Sequence, residues 1–384
     1  MKPVLLAVSL AAAIALPLNT AEAAKAVKSA DYTLLVQELN TGLKSPWGMA
    51  FLPDKRILVT QKPGTMLILS ADGRRVEQTL ANLPAVAAQG QGGLLDVALD
   101  PDFARNRTIY WSYAEPGSGA ENGLSGTAVA RGVLGKDGLS GIRVIYRQVP
   151  KVKGNGHFGS RLVFGRDGNL FVTLGDRQKF TPAQDMAQSL GKVVRITREG
   201  RPAPGNPAWK TAGARPEIYS LGHRNPQGAA LHPVTGALWL NEHGPQGGDE
   251  INRVQAGRNY GWPDASYGCN YGQPIGDTCR LGGGTHAPKF VEPLSTWTPI
   301  SVAPAGRLFY TGKAFPAWNN DVLMGSLAGQ SLWRLRFDGD RETVRERLLT
   351  DVGERIRDIE QGPDGFLYLL TDSGKLLQIK SLGK

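Results

Sequence analysis

The chain is short of the residues that most often carry metal or covalent chemistry, with two cysteines and five histidines among 384 residues. Two cysteines alone cannot build a zinc or iron–sulfur site. There is no G-x-S-x-G elbow, no H-E-x-x-H, no C-x-x-C and no P-loop, which sets aside the commonest hydrolase, metalloprotease, thiol-redox and nucleotidase signatures. Gly154-Asn-Gly-His-Phe-Gly159 matches G-x-G-x-x-G, but the pattern after it is that of a strand. Without a following helix N-terminus there is no phosphate cradle, so the match does not mark a dinucleotide site. Helical periodicity is almost absent, and past the first residues no apolar run is long enough to span a bilayer. Lys and Arg number 44 against 34 Asp and Glu, a net charge of +10, yet the basic residues are scattered. Nothing is denser than Arg74-Arg75 or the Arg341 to Arg347 stretch. Nucleic acid is therefore not the expected partner, while a small anionic ligand remains open.

What the chain has in excess is turn residues. Its 49 glycines and 25 prolines make up about a fifth of the sequence, against an ordinary usage of roughly 12%. Spread without a G-X-Y period, they imply many short elements joined by turns. At the start, Lys2, the apolar run Val4 to Leu16 and Ala21-Glu22-Ala23 form the three parts of a secretory signal peptide, expected to be cleaved after Ala23. Residues 24–384 would then be one exported, periplasmic domain without a membrane span, and a monomer is expected. Export makes a Cys269–Cys279 disulfide the expectation, worth roughly 2–3 kcal/mol for so short a loop.

One phrase recurs: an apolar run, a turn with Pro, Asp or Gly, then a second apolar run ending in a small or polar residue. Copies are Met49 to Thr60, Val97 to Ser112, Leu162 to Thr173, Ala229 to Leu240, Gly306 to Gly325 (looser) and Ile359 to Thr371. Each reads as a β-hairpin. A hairpin cannot bury both faces alone, and spacings of about 45 to 85 residues predict stacking around an axis. The expected fold is all-β, a six-bladed β-propeller of four-stranded antiparallel blades. The irregular stretches Glu115 to Thr127, Glu199 to Pro216 and Ser266 to Pro288 are expected as loops over one face of the central channel.

Polar clusters lie at the hairpin edges: Gly90-Gln91, Gly156-His157-Phe-Gly-Ser-Arg161, Gly222-His-Arg224-Asn225-Pro-Gln-Gly228, Asn241-Glu-His-Gly244-Pro245 through Asp249-Glu250-Ile-Asn252 to Tyr260, and Arg355-Ile-Arg357-Asp358. Arginine forks suit carboxylates, a Gly-Pro turn with an acidic loop suits Ca²⁺, and a neutral imidazole suits a general base. In this order the clusters resemble the soluble quinoprotein aldose (glucose) sugar dehydrogenases, which depend on pyrroloquinoline quinone (PQQ), over about Trp47 to Ile379. The resemblance implies oxidation of an aldose to a lactone, with an unidentified electron acceptor. It implies His157 as the base and Arg224 as the group stabilising charge on the quinone oxygen. Asn225, Gln91, Tyr271, Ser301, Arg355 and Arg357 are implied as cofactor contacts. The carbonyls of Gly244 and Pro245 are implied to hold Ca²⁺, with Glu250 and Tyr260 at a second calcium site.

Two departures stand out. The glucose subgroup carries Asp just before the base, where this chain has Gly156, which leaves the orienting partner of His157 to water or another loop. A lysine expected near Ala328 is missing. His223, His232 and His243 read as structural and not as a zinc triad. The rival functions are a calcium-dependent propeller lactonase and a non-catalytic propeller binding protein.

Overall fold

Six apolar hairpins become the inner halves of six antiparallel sheets in the computed structural model, which describes residues 24–383. The expected signal peptide, residues 1–23, lies outside the described residues. The innermost strands of blades 1 to 6 are Pro46–Phe51, Leu94–Leu99, Gly159–Phe164, Pro226–Leu231, Pro304–Phe309 and Ile356–Gln361. Each pairs with the second strand of its hairpin: Ile57–Gln61, Thr108–Pro116, Leu170–Leu174, Leu238–Glu242, Val322–Ser326 and Leu367–Thr371. Every innermost strand packs on the next and the sixth packs on the first, so the expected six-bladed propeller is the fold. The ring is closed by the start of the chain. Thr33–Asn40 pairs with Leu376–Ser381 as the fourth strand of blade 6, and Ala24–Lys28 adds a fifth.

Strand alternation puts apolar side chains on both faces of each blade, and they meet in cores between blades. Leu58, Ile68, Ile109 and Trp111, for example, share one cluster across blades 1 and 2. The polar ending of the second strand also has a purpose. Thr60 Oγ1 donates to Leu95 O in the next blade, Ser112 Oγ to Ser160 O at 2.7 Å, and Thr173 Oγ1 to Pro226 O at 2.9 Å. Asn241 Nδ2 does the same to Ala305 O at 2.8 Å. These bonds satisfy inner-strand carbonyls that no strand covers.

The third residue of each innermost strand forms a ring at the waist of the channel: Gly48, Asp96, Arg161, Gly228, Gly306 and Asp358. Arg161 Nη1 bridges Asp96 Oδ1 at 2.9 Å and Asp358 Oδ1 at 2.8 Å, and Nε donates to Gln227 O at 2.8 Å. The glycines make the room, since a Cβ on Gly306 would stand 2.2 Å from Asp358 Oδ1. Breaking a buried pair from one side leaves its partners uncompensated. Arg161→Met is expected to cost roughly 3–5 kcal/mol, read as a lower urea midpoint. Adding Asp96→Asn and Asp358→Asn should recover much of that loss, and a single variant as stable as the parent would refute the plug.

Two loop expectations hold and one is corrected. The 117–124 loop and the 266–288 segment lie at the end where the innermost strands begin, and Cys269–Cys279 is bonded across the small ribbon Ser266–Cys269/Arg280–Leu281. Glu199 to Pro216 instead lies at the opposite end. It leaves the far end of the third strand Lys192–Ile196, and Arg198 meets Asp100 and Asp102 beyond the C-terminal end of an innermost strand.

Candidate active site

Two series of residues build one mouth of the channel. The first precedes or opens the innermost strands: Gln91, His157, Arg224 and Asn225, Ser301, and Arg355 with Arg357. The second follows the second strands, which run antiparallel and so end at the same rim: Lys62, Asp176, His243 to Pro245, and Asp372. Residues separated by hundreds of positions therefore share one surface because of strand direction alone.

His157 sits in the left-handed region (φ 49°) between Gly154, Gly156 and Gly159. Its N–H donates to Gln91 Oε1 at 2.8 Å, and its carbonyl accepts from Arg177 N at 3.2 Å. Gly175 permits that approach, because a Cβ there would stand 2.1 Å from His157 O. The ring Nδ1 lies 2.7 Å from Asp176 Oδ1. Asp176 is fully buried; it accepts Trp262 Nε1 at 2.8 Å and Gln178 N at 2.8 Å. With Nδ1–H committed to a carboxylate, Nε2 is the free acceptor. Burial pushes the His157 pKa below its ordinary value, the Asp176 hydrogen bond opposes this, and the Arg224 cation pushes it down again. Burial alone would raise the Asp176 carboxyl, but the hydrogen bond and charge of His157 bring it below the usual carboxylate range. The imidazole is thus neutral at pH 7 and held in one tautomer. The partner that Gly156 left undecided comes from another loop.

Arg224 lies over Trp262, with Cζ 5.0 Å from the ring centroid, and its N–H donates to Glu242 Oε2 at 2.6 Å. Nη1 donates to Gly244 O at 2.6 Å and His243 O at 3.2 Å, while the buried Nε has no partner. Asn225 Oδ1 accepts from Gly159 N at 3.2 Å, and Nδ2 faces His243 Nδ1 at 3.3 Å. His243 is kept neutral, its pKa pushed down to about 3 by burial, with the His157, Arg224 and Arg357 charges adding to the effect. Asp249 organises the Gly244-Pro245 turn: Oδ1 accepts Gly244 N at 2.8 Å, and Oδ2 accepts Val302 N at 2.6 Å and Ala303 N at 2.7 Å. Ser301 Oγ closes the same loop on Pro245 O at 3.1 Å.

Across the mouth, Arg355 and Arg357 share Asp372. Arg355 Nε is 2.9 Å from Oδ2 and Arg357 Nε is 2.8 Å from Oδ1, while Arg357 Nη1 donates to Gln227 Oε1 at 2.7 Å. Lys62 donates to Gly90 O beside them. Burial lowers its pKa, and the charges of Arg357 and Arg355 lower it further. Three cations around one carboxylate make a seat for a polyanion. Lys62 also supplies a lysine at this rim, although the expected one near Ala328 is absent.

Behind Arg224 lies a cavity of about 10 Å³, room for one water- or ion-sized body, lined in part by Glu242, Glu250, Tyr260 and His286. Glu250 is held far above the usual carboxylate range by burial first and by Glu242 next. His286 Nε2 lies 3.3 Å from Glu250 Oε1. A cation would relieve two buried carboxylates at once. The Tyr260 hydroxyl is committed to Arg253 O at 2.6 Å and Gln255 N at 2.8 Å, which leaves its main-chain carbonyl as the oxygen it could offer. Among the described residues no group of three or more His, Cys, Asp or Glu side chains is placed to hold a metal, so main-chain oxygens would have to share the task. Gly244 O already accepts from Arg224, but a carbonyl oxygen has a second lone pair.

The structure thus joins Gln91, His157, Arg224, Asn225, Gly244, Pro245 and Ser301 in one hydrogen-bonded mouth, with Arg357 tied to it through Gln227. Arg355 stands at its rim, and Glu250 and Tyr260 stand behind it. Tyr271 is 72% exposed, within the disulfide-closed loop at the same end of the propeller. Sequence reasoning missed Asp176, Trp262, Asp372 and Lys62. The pattern L-G-D-R at the end of a hairpin was the one available hint for Asp176.

A family model described as Glucose / Sorbosone dehydrogenase matches residues 43–378. The chain is 44% identical over 361 residues to the aldose sugar dehydrogenase YliI of Escherichia coli (strain K12), covering 92% of this chain and 95% of that protein. The crystal structure of the apo-form of the soluble aldose sugar dehydrogenase from Escherichia coli is similar, with a TM-score of 0.85 at 42% identity, covering 91% of this chain and 100% of that one. The PQQ-bound form of the aldose sugar dehydrogenase from Streptomyces coelicolor is similar with a TM-score of 0.74 at 29% identity, covering 94% and 99%.

Proposed function

The chain belongs to the glucose/sorbosone dehydrogenase family, and from that premise we propose that it oxidises aldose sugars at C1 to lactones with PQQ and Ca²⁺. The observation that carries this reading is the buried His157–Asp176 pair facing Arg224 across a mouth rimmed by Lys62, Arg355 and Arg357. The residues present fit the cofactor's chemistry. The rim offers more positive charge than Asp372 can balance, and the buried Arg224 Nε lacks an acceptor, both of which suit a flat polycarboxylate. When bound, the quinone would supply a carbonyl that accepts hydride from C1, with a calcium ion drawing electron density from it.

The chain's own residues then have separate tasks. His157 Nε2 takes the proton of the anomeric hydroxyl, and Asp176 holds the tautomer and stabilises the imidazolium that results. Arg224 donates toward the developing negative charge, where a fixed cation in a desolvated site lowers the barrier most. Trp262 keeps both in place, stacked on Arg224 and hydrogen-bonded to Asp176. Arg355, Arg357 and Lys62 seat carboxylates, and Asn225 and Gln91 brace the loop carrying the base. Gly244 and Pro245 would offer carbonyls to one calcium ion, and Glu250 with the Tyr260 carbonyl to a second. Export through the expected signal peptide would put the reaction in the periplasm, with a monomer passing electrons to a separate acceptor.

The test is reconstitution. Purified protein given PQQ and Ca²⁺ should gain dye-linked aldose oxidation, with the absorption spectrum changing on addition of sugar. Lactone hydrolysis without oxidation would replace this reading with a hydrolase. For the rear cavity, Ca²⁺ should raise the melting temperature of the parent by several degrees, and Glu250→Gln should abolish that rise. A rise that survives the substitution would remove Glu250 from the calcium site.

A further inference from the structure

The fourth residue of each innermost strand is Met49, Val97, Leu162, Ala229, Arg307 and Ile359 in blades 1 to 6. Five of these pack in the apolar cores between blades. The sixth is an arginine in the same structural position. Arg307 is 4% exposed, and its Nε, Nη1 and Nη2 all lack a hydrogen-bond partner. Its guanidinium lies over Trp239 and Phe309, 5.8 and 5.3 Å from their ring centroids, and Ala229 leaves space beside it. Burial lowers its pKa to about 9, so it remains a cation at neutral pH. Among the described residues it is in no ion pair.

Arg307 borders a cavity of about 270 Å³ at the end of the channel opposite His157, where the innermost strands finish. Arg161 lines the same cavity, and its Nη2 is a fourth guanidinium nitrogen without an acceptor. The acidic groups nearby do not meet this demand. Asp96 and Asp358 are engaged with Arg161 Nη1, burial and then Asp358 push the Glu360 carboxyl well above the usual range, and none of the three is in an ion pair with Arg307 among the described residues. A buried charge with nothing to balance it is expensive, and a cavity with donors in surplus takes an acceptor.

We propose that this cavity holds a small monovalent anion, chloride or a one-carbon carboxylate, on the guanidinium of Arg307. The site is separate from the sugar-oxidising mouth and does not depend on how that mouth works. Trp239 and Phe309, set edge to face at 82°, flank the guanidinium without accepting its N–H groups, which remain for the ion.

The test uses the whole chain, melted in a chloride series at constant ionic strength with bulky isethionate as the balancing anion. The melting temperature should rise by roughly 2–4 °C as chloride replaces isethionate. Formate should act likewise. Arg307→Met should melt higher than the parent without chloride and show no chloride response. Chloride-35 NMR on the parent gives an independent reading: excess line width that formate removes and the variant lacks. No specific chloride effect on the parent, or an equal effect on Arg307→Met, would overturn the proposal.

Discussion

Replacing His157 with alanine should lower aldose turnover by about 10²–10⁴-fold and leave PQQ affinity nearly unchanged, if the proposed chemistry holds. The ring is the one group at the mouth with a free, neutral basic nitrogen, whereas its backbone contributes to the loop and survives the substitution. Asp176→Asn should give a related loss by another route. An amide can donate to Nδ1, which would favour the wrong tautomer and turn a donor toward the sugar. The acid limb of the pH profile should lie below the ordinary histidine value, since burial and Arg224 both disfavour the imidazolium. Activity should therefore fall as pH drops through that lowered pKa, where the base becomes protonated. In Asp176→Asn the limb should shift further toward acid, because the carboxylate that favours the imidazolium is gone. Steady-state rates against pH, with PQQ binding followed by tryptophan quenching, check both points. A His157→Ala enzyme turning over near the parent rate would refute the assignment of the base.

Arg357→Leu is expected to weaken PQQ binding by roughly 10–150-fold, the loss of one charge-assisted contact of about 1.5–3 kcal/mol. Adding Arg355→Leu should weaken it further and reduce the salt dependence, because Lys62 and Asp372 then balance and the rim is neutral. Lys62→Met alone should have a smaller effect in the same direction, as a point charge without a fork. Quenching titrations at several salt concentrations measure all three. Unchanged quinone affinity in the double variant would place the cofactor elsewhere, even if turnover fell.

The blade pattern was open to sequence reading because each hairpin is local. Leu162 to Thr173 carries its two strands, its Asp-Gly turn and the threonine that reaches the next blade within one short stretch. His157 and Arg224 were equally visible, standing in glycine-rich phrases at hairpin edges. Asp176 was not, because an aspartate after a strand and a glycine is an ordinary turn residue until the fold brings it to the imidazole. Lys62 has the same history: only ring closure sets blade 1 beside Arg355 and Arg357 of blade 6. The placement of Glu199 to Pro216 failed for a directional reason. Loop length is written in the sequence, but the end of the propeller it occupies depends on whether it follows an odd or an even strand. Thr33–Asn40 gave no sign of its role, since its partner Leu376–Ser381 lies at the other end of the chain.

That partnership has a consequence for biosynthesis. A ribosome makes Thr33–Asn40 long before Leu376–Ser381, so the circular clasp cannot fasten until the later strand has been made. Until then Thr33–Asn40 waits unlatched and the nascent arc has two raw edges. The ring is thereby kept from locking before the strands of its last blade exist.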